Sequence, residues 1–120
     1  MSVMIRQSPL GANVITDASA DATAANDVTG AASTMYYFEV DNTLNVGAAS
    51  FLKLYDHAAP TIGTTDPLLI LRAAAGTLEY FIVPQGVTPA TALSYACVTT
   101  AGTAGTGNPA NAVTIRMIVS

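Results

Sequence analysis

The stretch that most restricts the fold is Phe51 to Leu71, FLKLYDHAAPTIGTTDPLLIL. Pro60, Gly63, Asp66 and Pro67 interrupt it. Proline fixes φ and removes a backbone donor, and Gly and Asp favour turns, so no helix can run through the segment. The flanking apolar runs alternate with period two, the signature of strands. Leu52 and Leu54 point one way, and Phe51, Lys53 and Tyr55 the other. After the loop, Leu69 and Leu71 oppose Leu68 and Ile70. Leu52, Leu54, Leu69 and Leu71 are assigned to a core. Phe51 and Tyr55 are expected on an outer stripe, their rings covering the Lys53 stem. The stretch therefore predicts strand, ordered loop, strand.

The same alternation recurs along the chain. Thr34 to Asp41 predicts a strand with Tyr36, Phe38 and Val40 inward and Met35, Tyr37, Glu39 and Asp41 outward. Thr77 to Val83 is a strand with apolar residues on both faces, closed by Pro84 and Gly86. Ala92 to Thr99 and Ala112 to Val119 are further strands, the last with Val113, Ile115, Met117 and Val119 on one face. Gly11 opens a short strand, ANVIT. Residues 17–33 are rich in Ala but broken by Asp, Thr, Asn and Gly, and predict a surface loop with at most one helical turn. Thr99 to Asn111 carries no charge and is expected to be either mobile or packed against something. Met1 to Leu10 reads as an extended arm. Val3, Met4, Ile5 and Leu10 are poor choices for a free tail, so the arm is expected to dock on a neighbour or on the domain's own edge.

Short strands with turn chemistry between them predict one all-β domain over residues 11–120. Its expected form is a two-sheet antiparallel β-sandwich of jelly-roll or immunoglobulin-like topology, with residues 1–10 as an extended N-terminal arm. With no Trp and a single Cys, a disulfide-bonded immunoglobulin domain is excluded.

Composition narrows the function. Charged residues are 10% of the chain and hydrophobic residues 51%, against about 25% charged in an average domain. A surface so poor in charge is inexpensive to desolvate and weakly self-repelling, which favours life in an assembly. The net charge is −4, and Arg6, Lys53, Arg72 and Arg116 are scattered, so nucleic-acid binding is not expected. No secretory signal and no membrane-spanning run of about 18 apolar residues is read. His57 beside Asp56 has no activated nucleophile to serve and is expected to bond within its loop. Cys97 is expected to be a buried structural thiol, consistent with synthesis in a reducing cytosol. Asp41, Asn42 and Asn45 lack the spacing of a calcium loop and predict an Asx-stabilised turn. Gly102 to Gly107 lacks the Lys-Ser/Thr ending of a phosphate-binding loop. No catalytic residue, metal ligand or cofactor site is assigned, and an enzyme is not expected.

The central motifs resemble those of small virion proteins of tailed bacteriophages, including cyanophages. They are Lys53-Leu54-Tyr55-Asp56, then Ala59-Pro60-Thr61-Ile62-Gly63-Thr64 with Pro67, and downstream Pro84, Gly86 and Val87 with Leu93-Ser94-Tyr95-Ala96. The similarity spans Tyr36 to the C-terminus. It implies a head decoration or cement protein that binds the major capsid protein, forms a homo-oligomer (a trimer by preference), and sits on the capsid surface after synthesis in the host cytoplasm. It implies no nucleic-acid or membrane partner. Interface residues expected on this basis are Phe51, Tyr55 and Ile70, together with the arm residues Val3, Met4, Ile5 and Leu10. The alternative is a tail-fibre, baseplate or adhesion module that binds host glycan, which exposed pairs such as Tyr37 with Glu39 or Tyr55 with Asp56 would permit.

Overall fold

The computed structural model describes residues 13–30 and 33–120. They form seven strands: β1 (Asn13–Ala20), β2 (Met35–Asp41), β3 (Ser50–Asp56), β4 (Leu69–Ala73), β5 (Leu78–Val87), β6 (Leu93–Val98) and β7 (Val113–Val119). The chain is all-β. A four-stranded antiparallel sheet of order β1-β7-β2-β5 packs on a three-stranded antiparallel sheet of order β4-β3-β6.

The inner faces supply the core. Phe38, Val40, Val113, Ile115 and Met117 from the larger sheet meet Leu52, Leu54, Leu93 and Cys97 from the smaller one, all fully buried. These are the residues that period-two alternation assigns inward. Leu69 and Leu71 pack against the same cluster, partly buried.

β2 departs from simple alternation. Met35 is fully buried although Phe38 is too, and Tyr36 is only half-buried. The register explains it. Met35 pairs with Val119 and Tyr37 with Ile118, so two steps on β2 oppose one on β7. This is a bulge at Tyr36, and it moves Met35 to the inner face. On the other side β5 also shifts register, from Tyr37↔Ile82 to Met35↔Val87. Gly86 sits in that irregular stretch with φ +77°, and a Cβ there would overlap the Thr34 methyl. β5 therefore continues to Val87 instead of stopping before Pro84.

Residues 17–33 differ most from the expected surface loop. β1 extends through Asp17 to Ala20. The small and polar residues that hide the strand signal are accommodated by pairing with β7, and Asp17 Oδ2 accepts a hydrogen bond from the Tyr95 hydroxyl at 2.7 Å. The chain then crosses to the smaller sheet and runs along the free edge of β6. Cys97 N–H donates to Asp21 O, Ala25 and Tyr95 exchange both backbone bonds, and Val28 N–H donates to Leu93 O. The segment thus satisfies an edge that would otherwise be unpaired.

One end of the sandwich is closed by a buried amide network. Asn42 Nδ2 donates to Ala48 O and Ala74 O, and its Oδ1 accepts from Asn45 Nδ2 and Ser50 Oγ. Asn45 in turn exchanges hydrogen bonds with the Asn111 backbone. The neighbouring Asp41 accepts from the Thr43 hydroxyl and N–H, an Asx-type turn, which holds its carboxyl below the usual range. The DNTLN segment is thus a structural corner.

Candidate interaction surfaces

The outer face of the smaller sheet was the expected contact surface, and it is largely covered. Lys53 and Tyr55 are fully buried, as are Ser94, Ala96 and Val98 beside them on β6. The covering is intramolecular. The loop after β6 folds back over β3, and Lys53 Nζ donates to Thr103 O at 3.2 Å and Gly105 O at 2.6 Å. Gly105 is itself closely packed, since a Cβ there would overlap the Thr100 carbonyl. The uncharged loop is thus a packed element, with its carbonyls gathered on a cation. Desolvation lowers the Lys53 pKa.

Tyr55, expected on an outer stripe, is instead fully buried within the chain's own fold. Burial raises its pKa, and its hydroxyl has no hydrogen-bond partner among the described residues. Phe51 and Ile70 lie on the same face and remain half-buried. Val3, Met4, Ile5 and Leu10 fall outside the described residues.

The β3–β4 loop is ordered, as its Pro and Gly content predicts. Asp56 accepts from the backbone N–H groups of Ala90, Thr91 and Ala92. These bonds, Thr91 first and then Ala90, hold its carboxyl below the usual range. His57 Nδ1 accepts from Ala59 N–H, and Ser94 Oγ donates to His57 O. Thr103 Oγ1 donates to Asp66, tying this loop to the one that covers Lys53. Burial pushes the Cys97 thiol up to about 12, which keeps it protonated and unreactive. Among the described residues no group of three or more His, Cys, Asp or Glu is placed to hold a metal ion, and no helix is long and apolar enough to cross a membrane.

The open apolar surface lies on the other sheet. Register places Val14, Ile118, Tyr37 and Ile82 side by side across all four strands. Tyr80 and Leu78 continue the apolar surface along β5. Val14 is 66% exposed, Tyr80 62%, Ile82 53% and Leu78 43%. Tyr37 stacks on Tyr80 with ring centroids 6.3 Å apart. The charges within the face are paired: Arg116 bonds Glu39 at 2.6 Å, and Glu39 also accepts from the Tyr37 hydroxyl. This surface was not singled out from the sequence. Its signal was the apolar content of both faces of TLEYFIV, but alternation alone does not say which face is covered. A separate cleft of about 260 Å³ opens among Ile15, Val28, Ser33 and Val119.

Compared with family models, curated proteins and solved structures, the chain matches none.

Proposed function

We propose that the chain is a structural virion protein, a capsid decoration or cement protein that binds the outer capsid lattice and stabilises the head. The observation that carries this reading is the exposed row on the four-stranded sheet, with Val14, Leu78, Tyr80 and Ile82 around an internally paired Glu39–Arg116. Such a surface suits a protein neighbour. Covering a large apolar side chain contributes up to about 1.5–3 kcal/mol, and the paired charges add little repulsion. The sequence supports the reading through its low charge and through the resemblance of the KLYD and APTIGTTDP motifs. The partner is the major capsid protein, and the chain acts as a homo-oligomer, in the trimeric form that the resemblance implies. The role is mechanical: contact area across subunit junctions opposes internal pressure.

The test is attachment. Heads of the cognate particle stripped of this chain should bind it back, and a variant lacking residues 1–10 should bind more weakly with unchanged circular dichroism. Equal binding by the shortened chain removes the arm from the account, and no binding by the full chain removes the head role.

The Tyr37–Tyr80 stack beside Glu39 favours one second reading, an adhesion module whose aromatic platform takes a host glycan. Loss of glycan binding on Tyr80→Ala would support it.

A further inference from the structure

We infer that β5 is a self-association edge, along which a second copy of this chain adds antiparallel to make one continuous eight-stranded sheet. Four observations lead there.

Among the described residues, β5 is an edge of the larger sheet and, at ten residues, the longest strand. Edge strands present unpaired N–H and C=O groups, and proteins that stay monomeric guard them with charge, bulges or short length. The other edges are guarded. β1 carries Asp17 and a register break, β4 is five residues long with Arg72, and β6 is covered by residues 21–28. β5 also has a register shift, and Pro84, but both lie beyond Ile82, and its regular run from Leu78 to Ile82 is apolar on the outer face with one charge, Glu79.

The unpaired groups can be assigned. Asn42 N–H donates to Thr77 O. Antiparallel bonding alternates along a strand, so Thr77, Glu79 and Phe81 bond inward to β2. Leu78, Tyr80 and Ile82 then direct their amides to the open side. These three residues are also the exposed apolar ones on the outer face.

Symmetry sets the register. A two-fold pairing that uses the outward amides and covers the whole run places Tyr80 opposite Tyr80 and Leu78 opposite Ile82. That makes about six inter-strand hydrogen bonds. Glu79 then lies opposite Phe81, so no like charges are directly opposed. The contact is isologous and closes after two copies. It is distinct from any three-fold contact and stands independently of the virion reading. It leaves the outer face open and doubles its width, with Leu78, Tyr80 and Ile82 at the centre.

Cysteine trapping of the full chain tests it. Hydrogen-bonded antiparallel partners have Cα atoms about 5.5 Å apart, within disulfide reach. Under mild oxidation Tyr80→Cys should form a covalent dimer of twice 12.2 kDa, while Glu79→Cys should not. The wild-type chain should show dimer mass, or twice the mass of a three-fold assembly, by light scattering, and Tyr80→Lys should halve it with unchanged circular dichroism. If Tyr80→Lys fails to fold, the trapping result decides. A wild-type monomer at high concentration, an oligomer indifferent to Tyr80→Lys, or equal trapping at positions 79 and 80 would overturn the inference.

Discussion

Lys53 Nζ donates to the carbonyl of Gly105 at 2.6 Å, from a position 52 residues earlier in the chain. The ammonium is fully buried and donates to two backbone carbonyls, those of Thr103 and Gly105. The bond turns an uncharged Gly/Thr/Ala loop into the outer layer of the smaller sheet. Replacing Lys53 with Met keeps the stem and removes the donor. The two carbonyls are then left without it, at a cost of about 1–3 kcal/mol. Urea unfolding should show that loss, and amide exchange should rise first around residues 100–107. An unchanged exchange pattern would mean that the loop is held by packing alone.

Tyr55 makes the opposite prediction. Its buried hydroxyl carries a desolvation cost with no partner among the described residues to offset it. Tyr55→Phe removes that cost and keeps the ring. The variant should match or exceed the wild type in stability by about 1 kcal/mol. A clear loss in thermal unfolding would show that the hydroxyl is hydrogen-bonded in solution.

The Asn42 side chain bonds five groups on three segments. Asn42→Ala leaves several of them buried without partners, and should cost about 3 kcal/mol. Equilibrium unfolding checks the size. Asn42→Asp, which loses the three donated bonds and gains a buried charge, should be no better.

Asp56 and Asp41 set an acid limit. Both folded pKa values lie below the ordinary aspartate value of about 3.9. Their contribution is therefore complete above about that pH and is lost as pH falls through the lower folded values. Asp56→Asn should be less stable than wild type at pH 7, and the gap should close in acid. A gap that persists unchanged at pH 2 would place the effect in packing instead of ionisation.

The inner faces were legible from the sequence because they depend on local alternation. Leu52, Leu54, Phe38, Val40 and Met117 point inward for the reason their spacing gives. What stayed hidden depends on distant segments. Lys53 is buried under a loop some fifty residues away. The inward turn of Met35 comes from one bulged residue, Tyr36. The exposed row through Tyr80 requires strand order, since β5 is open only because it lies at the edge next to β2. Residues 17–20 hide their strand because Asp17 and Ala20 pair with β7 across a register break, without an apolar pattern.

The most direct test of the proposed role is where this chain sits in a purified particle, read from an averaged particle image with copy number from quantitative mass spectrometry. The account predicts hundreds of copies, with density on the outer head lattice and the face bearing Tyr80 and Ile82 against capsid subunits. A few copies confined to the tail, or no copies in the particle, would contradict it.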